Sequence, residues 1–215
     1  MEPMFSSGSA LADAPPGRGG GAPVWRRLCT AVLALALTAA GPGPPAGGPF
    51  LPRLGPAPNF ALTTQQNDRL WLTQLRDRPV VLTFTCTACE AACPGLLPAL
   101  ADLARELGNA AGGRAFFVAV SVDPRRDSPA ALRTFARSRR LDPGAWLLLT
   151  GKPAEVEVVT RRYGVGVHEQ GTHLTHDCLV VLIDGAGVIR GRYGADQLAQ
   201  VGSAVTALLA EHTGR

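Results

Sequence analysis

An α/β fold, a central mixed β-sheet flanked by helices, is predicted here by three observations. Val80-Val-Leu-Thr-Phe84 and Ala115-Phe-Phe-Val-Ala-Val-Ser-Val122 are continuous apolar runs, the pattern of strands buried on both faces in a parallel sheet. Each is followed by a helix signal: leucines at helical spacing after the first, a capped start with proline in the first turn after the second. Near the C-terminus two short apolar runs flank Asp184-Gly-Ala-Gly187, which reads as a β-hairpin.

Taken in order, Pro58-Asn-Phe60 leads through a polar, turn-rich entry to Trp71-Leu-Thr-Gln-Leu75, ahead of the Val80 strand. Leu96, Leu97, Leu100, Leu103 and Leu107 give one apolar helical face. After the Ala115 strand, Ser128 or Asp127 caps a helix with Pro129 at its start. Trp146-Leu-Leu-Leu149 is a short strand and Pro153 to Tyr163 a helix. Cys178 to Ile183 and Val188 to Tyr193 form the hairpin, and Leu198, Val201, Val205, Leu208 and Leu209 mark a closing helix. Strand, helix, strand, helix, then hairpin and helix is the thioredoxin-like order. Gly185, Gly187 and Gly191 open a hairpin and not a helix, so they form a turn and not a nucleotide-binding loop.

The chain has 215 residues, which suits one domain with an N-terminal extension. The net charge is +4, and residues 1–40 supply +1 of it, Arg18, Arg26 and Arg27 against Glu2 and Asp13. No basic stripe interleaves with aromatics, so no nucleic-acid partner is expected, and Arg139-Arg140 and Arg161-Arg162 read as solvated helix ends. Arg26-Arg27 precede the apolar run from Leu28 to Ala40, which describes a secretory signal. Thirteen residues fall short of the roughly 20 a span needs, leaving a cleaved signal or an uncleaved signal-anchor as the two forms. Gly41 to Pro49 is rich in Gly and Pro. The expected organisation is an extension over 1–40, a linker over 41–56 and a folded domain over 57–215. Its expected location is the periplasm or the outer face of the cytoplasmic membrane, with a possible membrane anchor.

Four cysteines follow the signal: Cys86, Cys89, Cys93 and Cys178. In an oxidising compartment thiols persist only if oxidised, metal-bound or re-reduced by a partner. Cys89-Glu-Ala-Ala-Cys93-Pro94 directly follows the Val80 strand. If a helix starts near Cys89, residues four apart share a face with Cα atoms on the order of 6 Å apart, within reach of one metal ion or of each other. The helix N-terminus would favour thiolate at Cys89. On spacing alone, a buried inert pair remains the competing reading. Cys86-Thr-Ala-Cys89 has redox C-x2-C spacing, but Cys86 falls at the strand end and reads as a lining or packing residue; Cys178 reads as sheet packing.

Together these segments resemble the Sco/SenC family of thioredoxin-like copper proteins over roughly residues 57–210. The marks are Thr87-Ala-Cys89-Glu-Ala-Ala-Cys93-Pro94, Ser121-Val-Asp-Pro-Arg-Arg-Asp-Ser-Pro129, Leu149-Thr-Gly151 followed by Tyr163-Gly-Val165, and His176 eight residues before Asp184. The resemblance implies copper binding by Cys89, Cys93 and His176, and a role in assembling the binuclear copper centre of cytochrome c oxidase. Its implied partners are the copper-centre subunit of that oxidase and other periplasmic copper chaperones or thiol reductants. Two thiolates suit Cu(I), and an added imidazole lets the site hold Cu(II); zinc would accept the same ligands with a water. Thioredoxin-like redox proteins carry a cis-proline before the corresponding strand, and Leu174-Thr-His-Asp177 has none. His168 and His173 are reserve ligands, His212 an exposed bystander, and Asp123 reads equally as a support behind the ligands or as part of the strand-to-loop turn. Two positions depart from the family pattern, Glu90 for proline after the first cysteine and Thr175 for aspartate before the histidine, which implies a changed affinity or redox poise.

Two other functions compete. One is a thiol–disulfide oxidoreductase in which Cys89 attacks and Cys93 resolves, a role with no use for an imidazole. The other is a peroxidase, from the spacing of Pro79, Thr83 and Cys86, but Pro79 precedes the strand where peroxidases need it after, so that match is accidental.

Overall fold

The computed structural model describes residues 51–89, 93–111, 115–170 and 173–213, of which 109–111, 170, 173 and 212–213 are described in backbone only. The targeting run and most of the linker, with Glu90 and the side chains of His173 and His212, lie outside the described residues.

Ten strands and four helices make up the described chain: β1 (Gly55–Pro56), β2 (Ala61–Thr64), β3 (Arg69–Trp71), β4 (Val80–Thr85), α1 (Leu96–Ala111), β5 (Phe116–Ser121), α2 (Pro129–Ser138), β6 (Trp146–Thr150), α3 (Pro153–Tyr163), β7 (Val167–Gln170), β8 (His173–His176), β9 (Val180–Ile183), β10 (Val188–Tyr193) and α4 (Leu198–Thr213). Eight strands form one sheet in the order β1-β10-β9-β4-β5-β6-β2-β3, with β7 and β8 a separate hairpin. The runs β4, β5 and β6 pair in parallel, as their unbroken apolar character requires, and β9 joins β4 antiparallel.

Because β4, β5 and β9 are buried on both faces, alternate residues feed two cores. Leu182, Val81, Phe117 and Trp146 stand in register across the sheet and pack beneath α1, α2 and α4. Val80, Leu82, Phe84, Val118 and Val120 point the other way, against α3. Phe117 and Trp146 bring their rings to 5.2 Å, within the range of a favourable aromatic pair.

Helix ends follow local chemistry. Ser128 caps α2 by accepting from the Ala131 N–H at 3.2 Å, with Pro129 inside the first turn, so the expected cap is Ser128 and Asp127 is freed for another task. Gly164 ends α3 at φ +67°, the left-handed conformation that glycine adopts without a Cβ penalty. The sequence reading missed two hairpins: β2–β3, which turns at Asn67, and β7–β8. Both are short and polar on one side, so neither carries an apolar run.

Leu82 is completely buried in the α3-side core. Leu82→Ala should therefore lower unfolding free energy by about 2–5 kcal/mol, whereas Leu54→Ala, at a half-exposed position, should change it by less than about 0.5 kcal/mol; urea denaturation of both variants measures the difference.

Candidate metal and thiol site

Where β4 ends, the chain leaves the sheet and turns sharply. The Cys89 N–H reaches the Cys86 carbonyl at 3.4 Å, closing Cys86-Thr87-Ala88-Cys89 into a turn. Helix α1 starts only at Leu96, whose N–H bonds the Cys93 carbonyl at 3.2 Å. Gly95 lies just before it at φ +82°, a conformation that favours glycine and interrupts any helix continuing back to Cys89. The expected placement of Cys89 and Cys93 one turn apart on a helix face is thus corrected: neither cysteine is helical, and α1 begins at Leu96.

The structure joins Cys86 to Cys89 and Cys93 to Cys178, with Cα separations of 5.2 and 5.6 Å, inside the range a disulfide accepts. The expected Cys89–Cys93 pairing is not the one present, and Cys86 and Cys178 are bonded partners rather than packing residues alone. Period-two geometry explains the first. Val80, Leu82, Phe84 and Cys86 all point into the α3-side core, and Cys89 folds back over its edge. The second disulfide lies against the opposite core, where Cys93 and Cys178 pack beside α1 and α4. It spans 85 residues, and closing a loop of that size in the unfolded chain is worth about 4–5 kcal/mol in the chain-entropy account.

A buried carboxylate holds the cysteine turn. Asp127 accepts from the Thr87 N–H at 3.1 Å, the Thr87 hydroxyl at 2.5 Å and the Ser121 hydroxyl at 2.5 Å, and is fully buried. It ties the turn after β4 to the end of β5. Sequence reasoning had offered Asp123 as the supporting carboxylate. Asp123 instead pairs with Arg126 and lines a neighbouring cleft with Val122, Val156, Thr160 and Leu174. The signal for Asp127 was present in its position six residues after Ser121, but the Thr87 contact crosses 40 residues of sequence.

His176 ends β8, paired with Val167 of β7. Asp177 fixes this strand end, its carboxylate accepting from the Gly166 N–H at 2.7 Å and its own N–H donating to the Gly166 carbonyl at 3.0 Å. The imidazole is buried, with Nδ1 3.0 Å from the Asp177 carbonyl oxygen. A carbonyl only accepts, so Nδ1 carries the proton and Nε2 keeps its lone pair for a metal. Burial pushes the imidazole below its ordinary value near 6.5, opposed by the Asp177 hydrogen bond and charge. His168 pairs with Thr175 and so occupies the other face of the hairpin from His176, which removes it as a reserve ligand in this conformation.

A cavity of about 320 Å³ is lined by Cys86, Cys89, Cys93 and His176. Thr83 and Thr85 of β4 supply its floor, and Phe135 and Arg139 from the end of α2 its far side. Arg139, read from sequence as a solvated helix end, carries the one full charge among the described lining residues. With all four sulfurs in disulfides, no three potential ligands among the described residues are arranged to grip a metal. A disulfide sulfur is not a thiolate, so the donor set fits a soft metal only after reduction.

Fold and site define a thioredoxin-like α/β protein with cysteines at the end of the first long parallel strand and a histidine facing them. The chain belongs to the SCO1/SenC family, whose model matches residues 54–210. A SCO1 protein homolog of Bacillus subtilis is 30% identical over 99 residues, 46% of this chain and 51% of that protein. ScoI of Bradyrhizobium japonicum, solved with copper bound, superposes with a TM-score of 0.60 at 25% identity, covering 71% of this chain and 98% of that one. BsSco, described as a member of the Sco family of cytochrome c oxidase assembly proteins and as containing a disulfide switch, gives 0.60 at 25% identity, covering 72% and 96%.

Asp127→Ala leaves the Thr87 N–H without its partner and should destabilise the protein by about 1–3 kcal/mol, read as a lower denaturation midpoint. His176 should titrate below 6.5 when its ring protons are followed by NMR. Because its folded pKa is depressed, the unfolded chain binds more protons on the acid side. The stability contributed by burying neutral His176 is then present above 6.5 and lost as pH falls through the folded value. A midpoint above 6.5 would contradict this account.

Proposed function

We propose that this protein is an exported copper chaperone that binds copper through Cys89, Cys93 and His176 and delivers it to the binuclear copper centre of cytochrome c oxidase. The observation that carries the reading is the convergence of these three side chains, from a strand-end loop and a separate hairpin, on one cavity. Copper is the cargo here. Two thiolates and one neutral imidazole satisfy Cu(I), and the nitrogen extends the site to Cu(II). The copper-bound structure of the Bradyrhizobium japonicum relative supports the metal, and the description of BsSco supports the assembly role. The partners we propose are the copper-centre subunit of the oxidase and the chaperones or thiol reductants that keep the site reduced.

The proposed location is the periplasm or the outer face of the cytoplasmic membrane. It rests on the run from Leu28 to Ala40, which lies outside the described residues. Among the described residues no helix is long and apolar enough to cross a membrane.

A second reading, a thiol–disulfide oxidoreductase acting on partner cysteines, is favoured by one observation: Cys86, Cys89, Cys93 and Cys178 are all in disulfides. The imidazole separates the two, since thiol exchange does not need it.

Fully reduced protein should bind one copper per chain, and Cys89→Ser, Cys93→Ser and His176→Ala should each weaken binding, the two serine variants most. Metal analysis after dialysis against a competing chelator reads the loss; undiminished binding in either serine variant would sink the site. In cells, deleting the gene should deplete the oxidase copper centre under copper limitation, with partial rescue by added copper. His176→Ala should behave as the deletion does, and full complementation by that variant would put the oxidoreductase first.

A further inference from the structure

Cys86 and Cys178 stand outside the proposed ligand set, yet each is bonded to one of its thiols. We propose that they are resolving thiols, so that this protein exchanges two electron pairs with a dithiol reductant at two separate disulfides, Cys86–Cys89 and Cys93–Cys178, rather than one pair at Cys89–Cys93. The inference deepens the copper reading, because each metal-binding thiol is then withheld by its own bond.

Three features support the separation. First, the bonds lie against different cores on opposite faces of the sheet, so opening one leaves the packing of the other in place. Second, they differ in scale: one closes a four-residue turn and the other ties Cys93 to the chain 85 residues on. Third, each bond is asymmetric in access. Cys86 is 3% exposed as part of the α3-side core, whereas Cys89 is half-buried. At the second bond both sulfurs are half-buried, and of the two Cys93 lines the cavity. Thiol–disulfide exchange proceeds at the sulfur an incoming thiolate can reach, so Cys89 and Cys93 are attacked and Cys86 and Cys178 leave.

The chemistry balances at each bond. A reductant thiolate attacks Cys89 Sγ, the S–S electron pair passes to Cys86 Sγ, and that sulfur takes up a proton. A mixed disulfide joins the reductant to Cys89. The reductant's second thiol then attacks its own bonded sulfur, Cys89 leaves as a thiolate, and the reductant departs as a disulfide. Read in reverse, Cys86 displaces any adduct on Cys89. The Asp127 bonds to Thr87 keep the turn closed and Cys86 within reach of its partner. The same sequence at Cys93 ends on Cys178.

The test uses the full chain carrying Cys29→Ser, so that four thiols report. The oxidised protein is titrated with dithiothreitol, alkylated, and mapped by peptide mass. Two equivalents per chain and the bridges Cys86–Cys89 and Cys93–Cys178 are expected. One equivalent, or a Cys89–Cys93 bridge with Cys86 and Cys178 free, overturns the proposal. Cys86→Ser in the same background, exposed to glutathione disulfide, should accumulate the glutathione adduct on Cys89 at least about tenfold above the parent, since the group that resolves it is gone. Equal adduct in both would also overturn it. Copper binding is measured separately on the fully reduced parent. Failure there counts against the copper reading, while the thiol titration, the bridge map and the adduct comparison decide this proposal.

Discussion

Strand β4 has an apolar layer on each face, and the cavity takes its form from where that alternation runs out. Val80, Leu82 and Phe84 point toward α3, Val81 toward α1 and α4, and the next residue in the α3-facing series is Cys86. Burial on both sides allows no slip of register, because a shift of one residue would exchange the two layers along the whole strand. The sulfur of Cys86 is therefore fixed by the packing of residues well away from it. The loop that follows inherits a fixed starting point, and the positive φ of Gly95 sets where α1 resumes.

Rigidity is extended beyond the strand by polar contacts. Asp127 is fully buried and accepts three hydrogen bonds, from both polar groups of Thr87 and from Ser121. A buried carboxylate is costly unless its oxygens are satisfied, and here the satisfied network fastens the cysteine turn to the neighbouring strand. On the other wall, Asp177 fastens the end of β8 to Gly166 and orients the His176 ring through its carbonyl. Two anchored supports thus hold the cysteine turn and the His176 strand end, which come from segments far apart in sequence.

The redox state of the four sulfurs divides the protein's chemistry. As disulfides they tie Cys93 to the chain just before β9 and offer no thiolate; as thiols they lose the covalent ties. In the proposed reading, disulfide formation and copper uptake draw on the same sulfurs at Cys89 and Cys93, so reduction precedes copper binding. Arg139 lies exposed at the cavity edge, stacked at 5.3 Å over Phe135.

The sequence by itself determined the layered α/β fold, the principal strands and helices, the capped start of α2 and the family, because unbroken apolar runs and helical periodicity are local consequences of burial. It also marked Cys89, Cys93 and His176, through their place in ordered motifs. Tertiary structure decided which sulfurs meet. Cys178 is 85 residues from Cys93, and no periodicity connects them; only the pairing of β9 with β4 brings the two together. It likewise decided that Asp127 and not Asp123 supports the cysteine turn, since both sit in one short loop after β5 and only the folded loop brings Asp127 to Thr87. Motif position singles out His176 from His168 in sequence, but their separation onto opposite faces comes from the register of a hairpin too short and polar to announce itself.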